Sequence, residues 1–168
     1  SNKYSPKITK ALIPVAGLGT RFLPSTKGQP KEMLTLVDKP VIQYVVEEAV
    51  AAGITDIVIV TSQTKRAIED HFDRNFELEY RLAKAGKKKE LAQVKAITKL
   101  ANFIYIRQKS PRGWGDAILA AEPVLGNEPF AYLSGDDVID GPVPAIKQLI
   151  HVYEKYLDSV VGVTRVPK

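Results

Sequence analysis

The chain has 168 residues, of which 45% are hydrophobic, so it can bury one sizeable core and is expected to form a single domain. With no cysteine, disulfides, thiolate catalysis and cysteine zinc sites are excluded, and any metal must be held by oxygen or histidine. The formal charge of +5 allows an anionic partner, while the lack of any apolar run near the roughly 20 residues that span a bilayer, or of a leader pattern, points to a soluble cytoplasmic protein.

Ser1 to Lys7 show no periodicity and read as a disordered or tag-derived start, with the fold proper occupying residues 8–168. Ala11 to Val15 is a short apolar strand that runs into a glycine-containing loop. Val41 to Ala52 has helical spacing, with Pro40 suited to its start and Gly53 to its end. Asp56 to Thr61 is a continuous β-branched run, as in a parallel strand covered on both faces, and Lys65 to Phe72 can form the next helix.

The lysines at 84, 87, 88, 89, 95 and 99 crowd a segment in which Glu90, Leu91, Val94 and Ile97 keep helical spacing. That is a solvated helix face, which accounts for much of the excess charge without nucleic acid. Phe103 to Ile106 is a third strand, Ala117 to Ala121 lies in a short helix, and Phe130 to Leu133 is a fourth strand. Pro144 to Leu157 reads as a helix and Ser159 to Thr164 as a last strand. Strands alternating with helices imply right-handed crossovers and a mostly parallel, doubly wound α/β sheet. Ligands on such sheets bind beyond the carboxyl ends of the strands, so the loops at 16–31, 108–116 and 134–141 should share one face.

The first loop, Ala16-Gly17-Leu18-Gly19-Thr20-Arg21-Phe22-Leu23-Pro24 and onward to Lys31-Glu32, combines two glycines with three cations, Arg21, Lys27 and Lys31. Glycines let the backbone approach a ligand and turn amide N–H groups toward phosphate oxygens, so this reads as a triphosphate cradle. A tight turn with solvated basic residues is the plainer alternative. A dinucleotide fingerprint would need glycine at Phe22 and an acid after the second strand, where Thr61-Ser62-Gln63 stands; the P-loop signature is missing too. In the third loop, Asp136 and Asp137 follow a buried strand, where they could hold a hard cation such as Mg2+ or simply form a turn. His71 and His151 fall in helical stretches without metal-type neighbours and are expected to be solvent-exposed.

The stretch from Gly17 to Pro40, including Pro30-Lys31-Glu32-Met33-Leu34 and Val37-Asp38-Lys39-Pro40, resembles the signature of bacterial UTP-glucose-1-phosphate uridylyltransferases, members of the sugar nucleotidyltransferase family. The resemblance continues through Val41 to Ala49, Ala52 to Thr55 and Ile68 to Asp73, and covers essentially the whole chain. It implies the Rossmann-like nucleotide-diphospho-sugar transferase fold. The implied reaction joins UTP and glucose 1-phosphate into UDP-glucose and pyrophosphate, with Mg2+ as cofactor. Leu12, Ala16 and Gly17 would lie beside the base and ribose, and Gly19, Thr20 and Arg21 would receive the triphosphate. Lys31 would support phosphoryl transfer, with Arg21 near the departing pyrophosphate. Glu32 and Gln108 would lie near the uracil edge, the backbone of Gly113 would read the base, and Asp136 would bind the metal.

Two residues depart from the family pattern: Trp114 stands where leucine is usual and Asp116 where histidine or glutamine is usual. By their residue types alone, Gln108 is a polar strand end and Trp114 a partly buried anchor. The resemblance also implies a further C-terminal part carrying the sugar site, which suggests truncation. A nucleotide-binding module without turnover, or a transferase for another sugar or base, is therefore an alternative. An incomplete sheet would expose apolar surface and favour a homo-oligomer.

Overall fold

A computed structural model describes residues 6–17, 19–63, 65–110 and 112–167; the expectations for Ser1 to Ser5 and for Leu18 lie outside them. Strands β1 (Lys10–Pro14), β4 (Asp56–Thr61), β5 (Asn102–Arg107) and β6 (Ala131–Tyr132) form one parallel sheet in the order β5-β4-β1-β6. A small antiparallel hairpin, β2 (Thr35–Leu36) with β3 (Lys39–Pro40), interrupts the first connection. The helices are α1 (Val41–Ala51), α2 (Arg66–Phe72), α3 (Phe76–Lys84), α4 (Lys88–Thr98), α5 (Trp114–Leu125) and α6 (Ala145–Tyr156).

Alternation along the strands divides the core. Ala11 and Ile13 of β1 and Ile57 and Ile59 of β4 turn to one face, against Ile42, Val45 and Val46 of α1, Ile68 and Phe72 of α2 and Ile146 of α6. Leu12, Val58 and Val60 turn to the other, against Ala117, Ala121 and Leu125 of α5. Because both faces are covered, the central positions of β1 and β4, Ala11 to Ile13 and Ile57 to Val60, are all apolar, which is why their sequence reads as continuous runs. Burying each of the core's valine, leucine, isoleucine and phenylalanine side chains contributes about 1.5–3 kcal/mol, before the entropy of ordering is set against it.

Local chemistry fixes the helix ends. Gly53, at φ 95, ends α1: its N–H bonds the Val50 carbonyl while Ile54 N–H returns to Ala49, satisfying two carbonyls the helix leaves open. At the start of α6 the Ile146 N–H donates to Oε1 of Glu48 in α1, 2.9 Å away, so one helix caps the other across 98 residues of sequence.

The predicted strand at Ser159 to Thr164 does not form. Residues 159–167 have no regular structure, and Val161 and Val163 are 78% and 92% exposed. Leu157, in the left-handed conformation at φ 56, ends α6. Among the described residues no strand lies beside the segment, and β propensity without a ladder partner does not make a strand. The solvated lysine-rich helix is seen as α4, which has no fully buried residue, but α3 and the β2–β3 hairpin were not foreseen. Among the described residues no helix is long and apolar enough to cross a membrane.

The hairpin turn holds Val37 at φ 63 with its side chain 91% exposed, a costly conformation for a β-branched residue. Val37→Asn should therefore stabilise the protein by about 1 kcal/mol, raising Tm by about 2–4 °C in a scanning thermal melt; an unchanged or lower Tm would show that the valine is held by contacts of its own.

Candidate active site

Chain connectivity decides where the site lies. From β1 the chain moves outward through β4 to β5 and then returns past β1 to β6. The connection that enters β6 thus runs opposite to those that leave β1 and β4, and this reversal places the carboxyl ends of β1 and β6 side by side at a crevice. Into it come the loop after β1 and the loop after β6.

The first of these loops is folded back on itself. Gly19, at φ 65, starts a single 3-10 turn, Thr20–Phe22, and the Thr26 hydroxyl donates to its carbonyl at 2.7 Å. A Cβ on Gly19 would lie 3.4 Å from the Cβ atoms of Lys31 and Thr26, so this glycine sits tight over the lysine. Gly17 faces open space, and Thr20, Arg21 and Lys27 are exposed. A second 3-10 turn, Lys31–Met33, then directs two neighbouring side chains oppositely. Lys31 rises toward the loop after β6, where its Nζ lies 2.5 Å from Oδ2 of Asp136. Glu32 descends and is 1% exposed.

Asp136 is held from two sides, since the Ser134 hydroxyl donates to Oδ1 at 3.0 Å. Burial alone would raise its carboxyl, but the hydrogen bonds from Lys31 and Ser134 outweigh burial and hold it below the ordinary carboxylate range. Gly135 is what lets this loop come so near: a Cβ there would stand 2.8 Å from Cγ1 of Val15.

Beneath the crevice Oε2 of Glu32 accepts from Nζ of Lys65 at 2.9 Å, with side chains 2% and 5% exposed. Lys65 immediately precedes α2, so this buried pair ties the first loop to the connection after β4. Lys65 was missed as a site residue; a lysine just beyond the carboxyl end of an apolar strand was the available signal. At the far side Gln108, 6% exposed, continues the β5 ladder through its N–H to the Thr61 carbonyl and donates from Nε2 to Oδ2 of Asp116.

Not every expected residue reaches the crevice. Leu12 is fully buried in mid-strand among the α5 side chains, so its side chain has no surface to offer a base. Ala16 is buried, Gly113 is exposed at φ 101 ahead of α5, and Asp137 is exposed without an ion pair among the described residues. Trp114 is not a partly buried anchor: it is 74% exposed, with its ring tilted against that of Tyr132 at a centroid separation of 6.2 Å. His71 is not solvent-exposed either. It is half-buried, with Nε2 2.9 Å from Oε1 of Gln43, and burial lowers its basicity. His151 is exposed, as expected.

No group of three or more His, Cys, Asp or Glu side chains gathers among the described residues. The donors at hand still suit magnesium, which characteristically takes one or two carboxylates and completes its shell with water and substrate phosphate. An open hollow lined by Val50, Gly53 to Thr55 and Thr98 to Asn102 lies at the amino ends of β4 and β5, opposite these loops.

Residues 10–168 match the model of the family described as nucleotidyl transferase. The chain belongs to that family. Among relatives of this nucleotidyl transferase domain, the UTP–glucose-1-phosphate uridylyltransferase of Bacillus subtilis is 56% identical over 96% of this chain and 56% of its own length. Among solved structures, the UTP-bound UGPase from Acinetobacter baumannii superimposes with a TM-score of 0.85 at 46% identity, covering 89% of this chain and 54% of that one. A UDP-glucose pyrophosphorylase complexed with UDP-glucose gives a TM-score of 0.75 at 46% identity, over 89% and 55% of the two chains. The chain thus spans a little over half the length of these relatives.

Two measurements probe the geometry. Lys65→Met strands a buried carboxylate and should cost about 3–5 kcal/mol in denaturant unfolding, whereas adding Glu32→Met should recover most of it; a double variant as weak as the single would mean the two residues act through separate contacts. Because the Asp136 carboxyl is held down in the folded state, its stabilisation is complete above about pH 4, the unfolded value, and is lost as pH falls through the folded value. Asp136→Asn should accordingly be less stable than the parent at neutral pH and converge with it in acid, as followed by denaturant titration across pH.

Proposed function

We propose that this chain forms the nucleotide-binding part of a UTP–glucose-1-phosphate uridylyltransferase, which makes UDP-glucose and pyrophosphate from UTP and glucose 1-phosphate. The observation that carries the reading is the meeting of Lys31 and Asp136, 2.5 Å apart at the crevice between β1 and β6, under a glycine turn. A cation and a carboxylate so placed fit a bound phosphate and its counter-ion. The names of the relatives supply the base and the sugar.

In this reading the sugar phosphate oxygen attacks the α-phosphorus of UTP and pyrophosphate leaves in line. No side chain becomes covalently attached. Gly19 and Thr20 present backbone N–H groups to the triphosphate, Arg21 on its exposed turn balances the charge of the departing pyrophosphate, and Lys31 does so at the reacting phosphates. Mg2+ held by Asp136, with the adjacent Asp137, would supply further charge neutralisation when bound. Glu32 supports this machinery from below through Lys65. The base lies toward Gln108 and Gly113, beside Ala16 and Gly17. The sugar site belongs to the portion of the longer relatives that this chain does not span, and the protein works in the cytoplasm. A second reading is nucleotide binding by this chain without turnover.

Calorimetric titration with UTP, ATP and dTTP in the presence of Mg2+ tests the proposal, followed by pyrophosphate release with glucose 1-phosphate. Trp114 is the sole tryptophan and is exposed, so its fluorescence offers an independent readout. UTP should bind best, and Lys31→Ala should weaken it by about ten- to a hundredfold, the worth of one charge-assisted hydrogen bond. UTP binding without pyrophosphate release would establish the binding-module reading; no nucleotide binding would overturn both.

A further inference from the structure

Gln108 stands at the carboxyl end of β5, two strands from β1 and so about 10 Å across the sheet. A nucleotide with its triphosphate at the β1–β6 crevice can extend across β4 to reach it. The Gln108 side chain is more than nine-tenths buried, and its Nε2 donates to Oδ2 of Asp116 in the first turn of α5.

A carboxylate offers acceptors only, so the direction of this hydrogen bond fixes the amide: its NH2 faces Asp116 and its carbonyl Oε1 faces away. Among the described residues Oε1 accepts no hydrogen bond. A buried carbonyl oxygen without a donor marks a place where another molecule donates. The carboxylate beyond the NH2 also polarises the amide and makes Oε1 the stronger acceptor.

We propose that Asp116 is a specificity-determining positioning residue for the nucleobase. By holding the Gln108 amide in one orientation, it makes the site accept a ring N–H. That selects pyrimidines carrying N3–H, uracil or thymine, over cytosine, whose N3 bears a lone pair that would face Oε1. The inference rests on the nucleotide site proposed above. It gives a function to a residue at which the chain departs from the pattern of the sequences it resembles. A plainer role for an acid in the first turn of α5 is to complement the helix dipole, which would affect stability and every nucleotide alike.

The test is titration of the full chain with UTP and with CTP in the presence of Mg2+, for the parent, Asp116→Asn and Asp116→Glu, with thermal melts alongside. Asparagine can donate as well as accept, which frees the Gln108 amide to invert; the UTP-to-CTP affinity ratio should fall by about tenfold, the worth of one misdirected buried hydrogen bond. Glutamate, an acceptor only, should restore the preference. If the asparagine variant melts early, Asp116→Ala frees the amide equally and supplies the same ratio. A parent that prefers UTP and an Asp116→Asn variant with the same ratio, even at lower affinity for both, would overturn the role of Asp116 and leave the uridylyl reading standing. A parent that binds neither nucleotide would overturn the uridylyl reading and this inference with it.

Discussion

The place of β1 in the middle of the sheet, paired to β4 on one side and β6 on the other, is the constraint on which the rest depends. Parallel neighbours need crossovers, and crossovers of one hand put helices on opposite faces when the chain changes direction along the sheet. α1 and α2 therefore cover one face and α5 the other, and the crevice between β1 and β6 opens only at the carboxyl ends. Lys31, Lys65, Gln108 and Asp136 are all delivered from connections at that end.

The crevice is electrostatically prepared. Lys31 and Asp136 hold each other in place at the carboxyl end of the sheet, so each has a partner of opposite charge. Beneath them the Glu32–Lys65 pair is too deeply buried to serve as a solvent-exposed contact. Its desolvation is expensive, and a buried pair of this kind is better evidence for a fixed arrangement than for added stability. The alternation from Lys31 upward to Glu32 downward, within one short 3-10 turn, joins the two pairs mechanically. Gly135 completes the assembly by occupying a space that no side chain fits.

Much of this was legible in residue order. The β-branched runs, the helical spacing of Val41 to Ala52 with its glycine stop, and the alternation of strands with helices follow from local sterics and periodicity, and the mostly parallel sheet they implied is observed, without its expected last strand. So was the sharing of one face by the loops at 16–31 and 134–141, because loop position follows from strand direction. Ser159 to Thr164 shows the limit: its residues favour a strand, yet without a neighbour the backbone groups have no ladder to join. Leu12 shows another, since being in a motif-bearing segment says nothing about which face of a strand a side chain takes.

The sequence by itself determined the class of fold and the chemical character of its loops, because propensity, periodicity and the presence of glycine or charge are properties of short stretches. Tertiary structure alone decided which charges meet. Lys31 and Asp136 are 105 residues apart, and Glu32 and Lys65 are 33 apart. Whether such groups touch depends on strand order and on how deeply each loop is buried, and burial is set by all the elements packed around it at once. The same reason explains Gln108 and Asp116, whose residue types were visible from the start. Only the docking of α5 beside the end of β5 turned two polar side chains into an amide with one fixed direction.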